Sequence, residues 1–216
     1  MKKMNIIYED KEILVINKPS GILTIGTEKE RFRTLYHEAS EYIKKQNPKN
    51  RIFIVHRLDK DTSGIVMFAK NEKIKHLYQD NWDKLVKVRE YYAIVEGQVK
   101  NETGTIKNYL KENKAFFVYS CDEKDGKLAI TNYKKIRSNN QYTLLEVLLN
   151  TGRKNQIRVH MNDLGNPIIG DKKYGSKKNP LRRLGLHASR LVVVNPTTKK
   201  EMEFIAKLPS NFNSII

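Results

Sequence analysis

RIFIVHRLDKDTSGIVMFAK (51–70) is the stretch on which the fold turns. Residues 52–55 and 65–69 are short apolar runs rich in Ile and Val, a pattern that predicts two buried strands. Between them HRLDKDTSG (56–64) places His56, Arg57, Asp59, Lys60 and Asp61 within six residues. Charges that close to a core cost several kcal/mol unless paired, so these are expected to be paired or functional. The plain alternative is a charged surface turn joining two strands. DTSG (61–64) predicts an Asx-type turn, the Asp61 side chain accepting from backbone N–H groups and Gly64 supplying a positive φ.

Outward from this loop the period sorts the remaining elements. Residues 4–8 and 12–17 predict two strands about a turn at 9–11, and Pro19 and Gly21 end the second. Residues 34–46 predict a helix with Leu35, Ala39, Tyr42 and Ile43 on one face, stopped by Pro48. A second helix is expected over 72–88, facing inward through Ile74, Leu77, Tyr78, Trp82, Leu85 and Val86. The period then drops to two, and 90–97, 104–110, 115–120, 128–136 and 142–149 all predict strands. Helical spacing returns at 155–164, with Gly165 as its cap. Strands at 184–194 and 201–205 follow, with a turn at Asn195-Pro196. Many strands with a few helices, in no βαβ rhythm, predict an α+β fold with a mixed, mainly antiparallel central sheet and flanking helices and loops.

The chain has 216 residues, and 1–216 is expected to be one domain with a sizeable core. Lys and Arg number 41 against 24 Asp and Glu, a formal charge of +17. Ten basic residues and two acidic ones, Asp163 and Asp171, fall in 153–190, a local +8. A polyanion is the natural partner, nucleic acid before a membrane surface, because no basic amphipathic helix with a wide apolar face stands out. The bland reading is that lysines merely solubilise, since 30 of the 41 basic residues are Lys. Hydrophobic content of 39% rules out a disordered polybasic tail. One cysteine, Cys121, rules out a disulfide framework and a thiolate metal cluster. No signal peptide or membrane-spanning run is expected, which predicts a cytoplasmic location.

A second candidate segment is TGRKNQIRVHM (151–161), which runs from a strand end into a helix. Gly152 is expected to permit a sharp turn, the helix start to suit an anion, and Arg158 to reach sideways into a cleft. Tyr91 and Tyr92 are adjacent on a strand and so face opposite ways, one toward the core and the other free to stack on a base or to pack elsewhere, with a core tyrosine the plain default. Histidines 37, 56, 76, 160 and 187 show no metal-ligand spacing, and no Walker loop or G-x-S-x-G elbow is present. No metal is expected.

VHRLDKDTSGIVMFAK (55–70) closely resembles the signature loop of the RluA-like RNA pseudouridine synthases. The resemblance continues through IIYEDKEILVINKPSGILT (6–24), REYYAIVEG (89–97), TGRKNQIRVHMNDLGNPIIGDKKYG (151–175) and LHASRLVVVNPTTKKEMEFIAKLP (186–209). It opens at the hairpin from residue 4, and so implies a catalytic domain without the N-terminal RNA-binding domain of many relatives. The chain departs from the family at Lys154-Asn155, where Thr-His is more common. That change is expected to tune substrate contacts without touching a catalytic group. It departs again at Tyr92, where an aliphatic is usual.

The resemblance implies isomerisation of specific uridines in structured ribosomal or transfer RNA, with the base flipped out of the stack. Atoms are neither gained nor lost, so no cofactor is expected. Asp59 is implied as the essential carboxylate, Arg158 as the arginine paired with it, and Tyr91 as the tyrosine stacked on the target base. Arg57 is implied to fill the space that the uridine leaves. The RNA-binding set is completed by His56, Lys18, Arg153, Lys172, Lys173 and Arg190, and Leu191 or a close neighbour forms an apolar pocket wall. A monomer is expected. The competing reading is a non-catalytic RNA-binding or ribosome-assembly factor on the same scaffold. A hydrolase using Asp59 is weaker, for want of a second carboxylate motif.

Overall fold

The computed structural model describes residues 4–28 and 30–216. In chain order the strands and helices are β1 (Ile6–Glu9), β2 (Ile13–Lys18), α1 (Leu35–Gln46), β3 (Phe53–Ile54), β4 (Ser63–Ala69), α2 (Glu72–Asp80), α3 (Trp82–Leu85), β5 (Val86–Glu96), β6 (Thr103–Glu112) and β7 (Val118–Cys121). They continue with β8 (Lys127–Ser138), β9 (Tyr142–Leu149), α4 (Gln156–Asp163), β10 (Leu186–Val194), β11 (Glu201–Ile205) and α5 (Ser210–Asn213). A one-turn 3-10 helix covers Lys172–Tyr174. The class is α+β, as the periodicity predicts, and every strand pair whose register is resolved runs antiparallel.

The chain divides into two compact units. The first takes residues up to Val88 together with 188–207, and the second takes 89–187 and 208–216. In unit 1, β2 pairs with β1 and β4, β3 pairs with β4, and β10 pairs with β11. All seven residues of β4 are buried, because it is covered on both faces. One face joins Ile13, Val15, Ile65, Met67, Tyr78, Leu191, Val193 and Phe204 in a single apolar cluster. Leu191 is thus a core residue, 4% exposed and opposite Phe204 on β11. The residue expected to form an apolar wall is therefore held by the core on its β11-facing side.

Helix α1 starts where Thr34 Oγ1 accepts from the His37 N–H, and α2 where Asn71 Oδ1 accepts from the Ile74 N–H. The expected helix over 72–88 is shorter. It breaks at Asn81, whose side chain donates to the Leu77 carbonyl, and ends at Leu85. Val86 and Val88 begin β5 instead, as β-branched residues at alternate positions favour.

Unit 2 carries an antiparallel sheet in the order β5-β9-β8-β6-β7, in which β5 pairs with β9 and β8 with β6, so the order in space is not the order in sequence. Tyr91 stands opposite Val147 and Tyr92 opposite Glu146. The period-two reading holds here: Tyr91 packs against the cluster of Ala93, Val95, Leu145, Ile157 and Met161, whereas Tyr92 packs against Ile94, Leu144 and Phe212. Through Ile157 and Met161, α4 lies on the first of these clusters, which fixes the helix that carries Arg158.

Candidate functional site

The loop 56–64 is built from both ends of unit 1. Lys18 ends β2 with none of its surface exposed. Its ammonium donates to the carbonyls of Pro19 (3.0 Å), Ile22 (2.8 Å) and Lys60 (2.9 Å). Thr24, also buried, accepts from the Leu58 N–H at 3.1 Å and donates to the Leu58 carbonyl at 2.8 Å. Gly21 N–H donates to the Lys60 carbonyl, and Ser20 Oγ to the Asp61 carbonyl. His56 Nε2 accepts the Met67 N–H at 3.0 Å, which requires that nitrogen to be unprotonated, and its ring lies 5.4 Å from that of Trp82. The backbone on either side of Asp59 is therefore pinned at Leu58, Lys60 and Asp61, and Asp59 itself is half-buried.

Two expectations change here. Lys18 is not an RNA contact: it is a buried cation that gathers loop carbonyls, and it meets the desolvation demand with three hydrogen bonds. The DTSG turn is closed by the Thr62 N–H on the Asp59 carbonyl (3.2 Å) and not by the Asp61 carboxylate, which accepts no bond among the described residues. Gly64 does take the positive φ, +113°. A Cβ there would sit 2.1 Å from the Ala188 carbonyl oxygen, so only glycine fits. Arg57 is exposed. Arg190 is half-exposed, its Nη1 3.0 Å from Glu203 Oε1.

In unit 2, Arg158 is held as a rigid fork. Its Nε and Nη2 donate to the two carboxylate oxygens of Asp171 at 2.7 and 2.8 Å, and Nη1 donates to Asn155 Oδ1 at 3.1 Å. The guanidinium lies over the Tyr174 ring, 4.9 Å from its centroid. Tyr174 Oη in turn accepts from Asn155 Nδ2 and from the Val118 N–H. Asn155 adopts the left-handed conformation (φ 55°), which Asn tolerates, and so turns its amide toward this cluster. This corrects the reading of Lys154-Asn155: Asn155 does touch a candidate catalytic group, Arg158. Gly152 is not among the described glycines with a positive φ. It is a close approach, where a Cβ would stand 2.6 Å from the Arg89 guanidinium.

Behind Arg158, α4 carries a buried polar chain. Gln156 Nε2 donates to Thr131 Oγ1, which bonds His160 Nδ1 at 2.8 Å, and His160 Nε2 bonds Asn108 Oδ1 at 2.7 Å. Asn108 and Ser120 both donate to Asp163. Burial disfavours the charged imidazole and pushes the His160 pKa down to about 4. In an unfolded chain the histidine takes up a proton near the usual 6.5, so between those values the unfolded state binds more protons. Stability is fully present above about pH 6.5 and falls as pH drops toward 4. The total loss is about 3 kcal/mol, the product of the pKa difference and 1.4 kcal/mol per unit. His160→Gln should be less stable at pH 7 and should flatten this slope, as urea unfolding at a series of pH values would read.

Of the other basic candidates, Lys172 is exposed. Lys173 is exposed too, but its ammonium donates to the Phe116 carbonyl at 2.8 Å, and Arg153 Nε donates to the Leu128 carbonyl at 2.9 Å. Among the described residues, no group of three His, Cys, Asp or Glu could hold a metal ion, and no helix is long and apolar enough to cross a membrane.

A family model described as RNA pseudouridylate synthase matches residues 12–163, from β2 to the end of α4. The match takes in the loop 56–64, Tyr91 and Arg158 and runs through both units. The RNA pseudouridine synthase YhcT of Bacillus subtilis is 33% identical over 215 residues, 99% of this chain and 71% of that protein. The ribosomal large subunit pseudouridine synthase C of Rickettsia prowazekii is 38% identical over 214 residues, 96% of this chain and 69% of that protein. The solved structure titled human RNA pseudouridylate synthase domain containing 4 matches with a TM-score of 0.80 at 24% identity, covering 97% of this chain and 90% of that one. The last likeness is one of fold.

Proposed function

Because this chain belongs to the RNA pseudouridylate synthase family, of the RluA-like type, we propose that it converts particular uridines of structured RNA, ribosomal RNA foremost, into pseudouridine through Asp59. It is an RNA pseudouridine synthase, an isomerase. The name of the Rickettsia relative supports ribosomal RNA; transfer RNA is the other substrate class, and pseudouridine mapping in RNA from cells with and without the gene separates the two.

The reaction breaks the N1–C1′ bond, turns the uracil and forms C5–C1′; C5 loses its proton to solvent and N1 takes one up, so atoms balance. A carboxylate can assist by attack at C1′, by attack on the ring, or by taking a sugar proton. Each route needs one carboxylate held against drift, since a misplacement of about 1 Å can lower the rate roughly 100-fold. The observation that carries the reading is the pinned loop: four side chains and a backbone amide fix the residues around Asp59. Tyr91 is proposed as the stacking face for the base, Arg158 as a fixed positive charge, and Arg57, Arg153, Lys172, Lys173 and Arg190 as RNA contacts. His56 is proposed to act through the loop it anchors. We further propose that residues 1–216 work as one catalytic domain and as a monomer. The primary test is release of tritium from C5 of labelled uridine in RNA. A protein that binds RNA without releasing tritium would leave only the scaffold reading.

Arg57 tests the flipping step by itself. Its exposed side chain is proposed to fill the hole left by the flipped uridine. Arg57→Ala should slow single-turnover isomerisation of a folded stem-loop by about 30-fold, in line with an unstacking cost of a few kcal/mol. On a short unstructured RNA the loss should be only a few-fold. Equal losses on both would assign Arg57 to ordering the loop.

A further inference from the structure

We propose that a groove of unit 1, formed by α1, β3 and α2, seats a single-stranded segment of the substrate RNA beside the target uridine; this rests on the reading that the substrate is RNA. The groove encloses about 700 Å³, and its lining includes Arg31, Phe32, Lys44, Arg51, Phe53 and Lys75. The one carboxylate in the lining is Glu41, and it lies 3.4 Å from Lys44 on the same helix. Arg31, Arg51 and Lys75 make no ion pair among the described residues, so three cations face one groove without a counter-charge. Phe32 is 70% exposed, with its ring edge-on to that of His37 at 5.4 Å. Such a ring does no packing for the core, and it offers a base a flat face.

Separated cations with an open aromatic match the alternation of phosphate and base along a single strand, and two of the three cations are guanidiniums, which grip phosphate oxygens in pairs. An acidic peptide would answer the charges and leave Phe32 unused. The position fits as well. The floor of the groove is β3 (Phe53–Ile54), and Arg57 follows Ile54 by three residues, at most about 11 Å of extended chain. A strand in this groove therefore runs close to the nucleotide that Arg57 is proposed to displace.

The test uses the full chain and two probes, single-stranded dodecauridylate and a blunt RNA hairpin without single-stranded ends. For Arg31→Gln/Arg51→Gln/Lys75→Gln, the slope of log affinity against log salt should fall by about 2 on dodecauridylate, at roughly 0.7 per phosphate released, and stay at the parent's value on the hairpin. Phe32→Ala should weaken dodecauridylate about tenfold with its slope unchanged. Matching melting temperatures show that the variants fold. An unchanged slope on dodecauridylate overturns the proposal, and so does an equal fall on both probes. Displacement of the RNA by an oligoglutamate of equal charge as readily as by unlabelled dodecauridylate overturns it too, since the groove would then read charge alone. Tritium release by the parent protein reports separately on the isomerase reading.

Discussion

Asp59→Ala protein is expected to release no tritium from C5-labelled RNA above background, while its affinity for that RNA stays within a few-fold of the parent's. The two effects separate because binding rests on many cations among a formal +17, whereas the chemistry rests on one carboxylate. The loop should survive the change. Its anchors grip the backbone of Leu58, Lys60 and Asp61 and the side chain of His56. Asp59→Asn keeps the shape and should be equally inactive. Turnover in either variant at more than about a thousandth of the parent rate would remove Asp59 from the mechanism, since the uncatalysed exchange is far slower than enzymic rates.

Arg158→Lys is expected to lose both activity and stability, although the charge is kept. Asp171 is 1% exposed at its side chain and takes two parallel bonds from the guanidinium. An ammonium cannot reproduce that fork or the stacking over Tyr174. One charge-assisted bond lost in a buried setting is worth about 2 kcal/mol, which chemical unfolding would read. Activity should drop by roughly 100-fold, the scale set by misplacing a catalytic group by about 1 Å. Asp171→Asn separates the two losses: it keeps the arginine but loosens its hold, so it should lower turnover more than RNA affinity. A variant that melts lower yet turns over normally would make the Arg158–Asp171 pair purely structural.

Much of this was legible in the chain. Period-two spacing predicts opposite faces for Tyr91 and Tyr92, and they pack against different clusters. The apolar runs about HRLDKDTSG predict a loop between two strands, as found. What spacing could not convey were contacts made across long stretches of chain. Lys18 reads as one more surface lysine, because lysine is rarely buried, and only the folded loop shows it spanning to residue 60. Asp171 reads as a lone acid in a basic segment, and its partner lies 13 residues away. Tyr174 gave no signal, and Asn155 stood out only as a departure from the family, because their roles come from meeting Arg158 in the fold. The break at Asn81 was missed because apolar spacing continues through Val86 while the backbone changes from helix to strand.

The reach of Lys18 has a kinetic consequence. The residues it ties to lie up to 42 positions away, and β2 must find β4 before its ammonium can meet the Lys60 carbonyl. Ordering of the loop is thus a late event in refolding, paid for by closure of a long stretch of chain. A peptide of residues 51–70 should show no fixed structure in isolation. In a refolding experiment, recovery of turnover should lag the far-ultraviolet signal of α1 and α2 and track the pairing of β2 with β4.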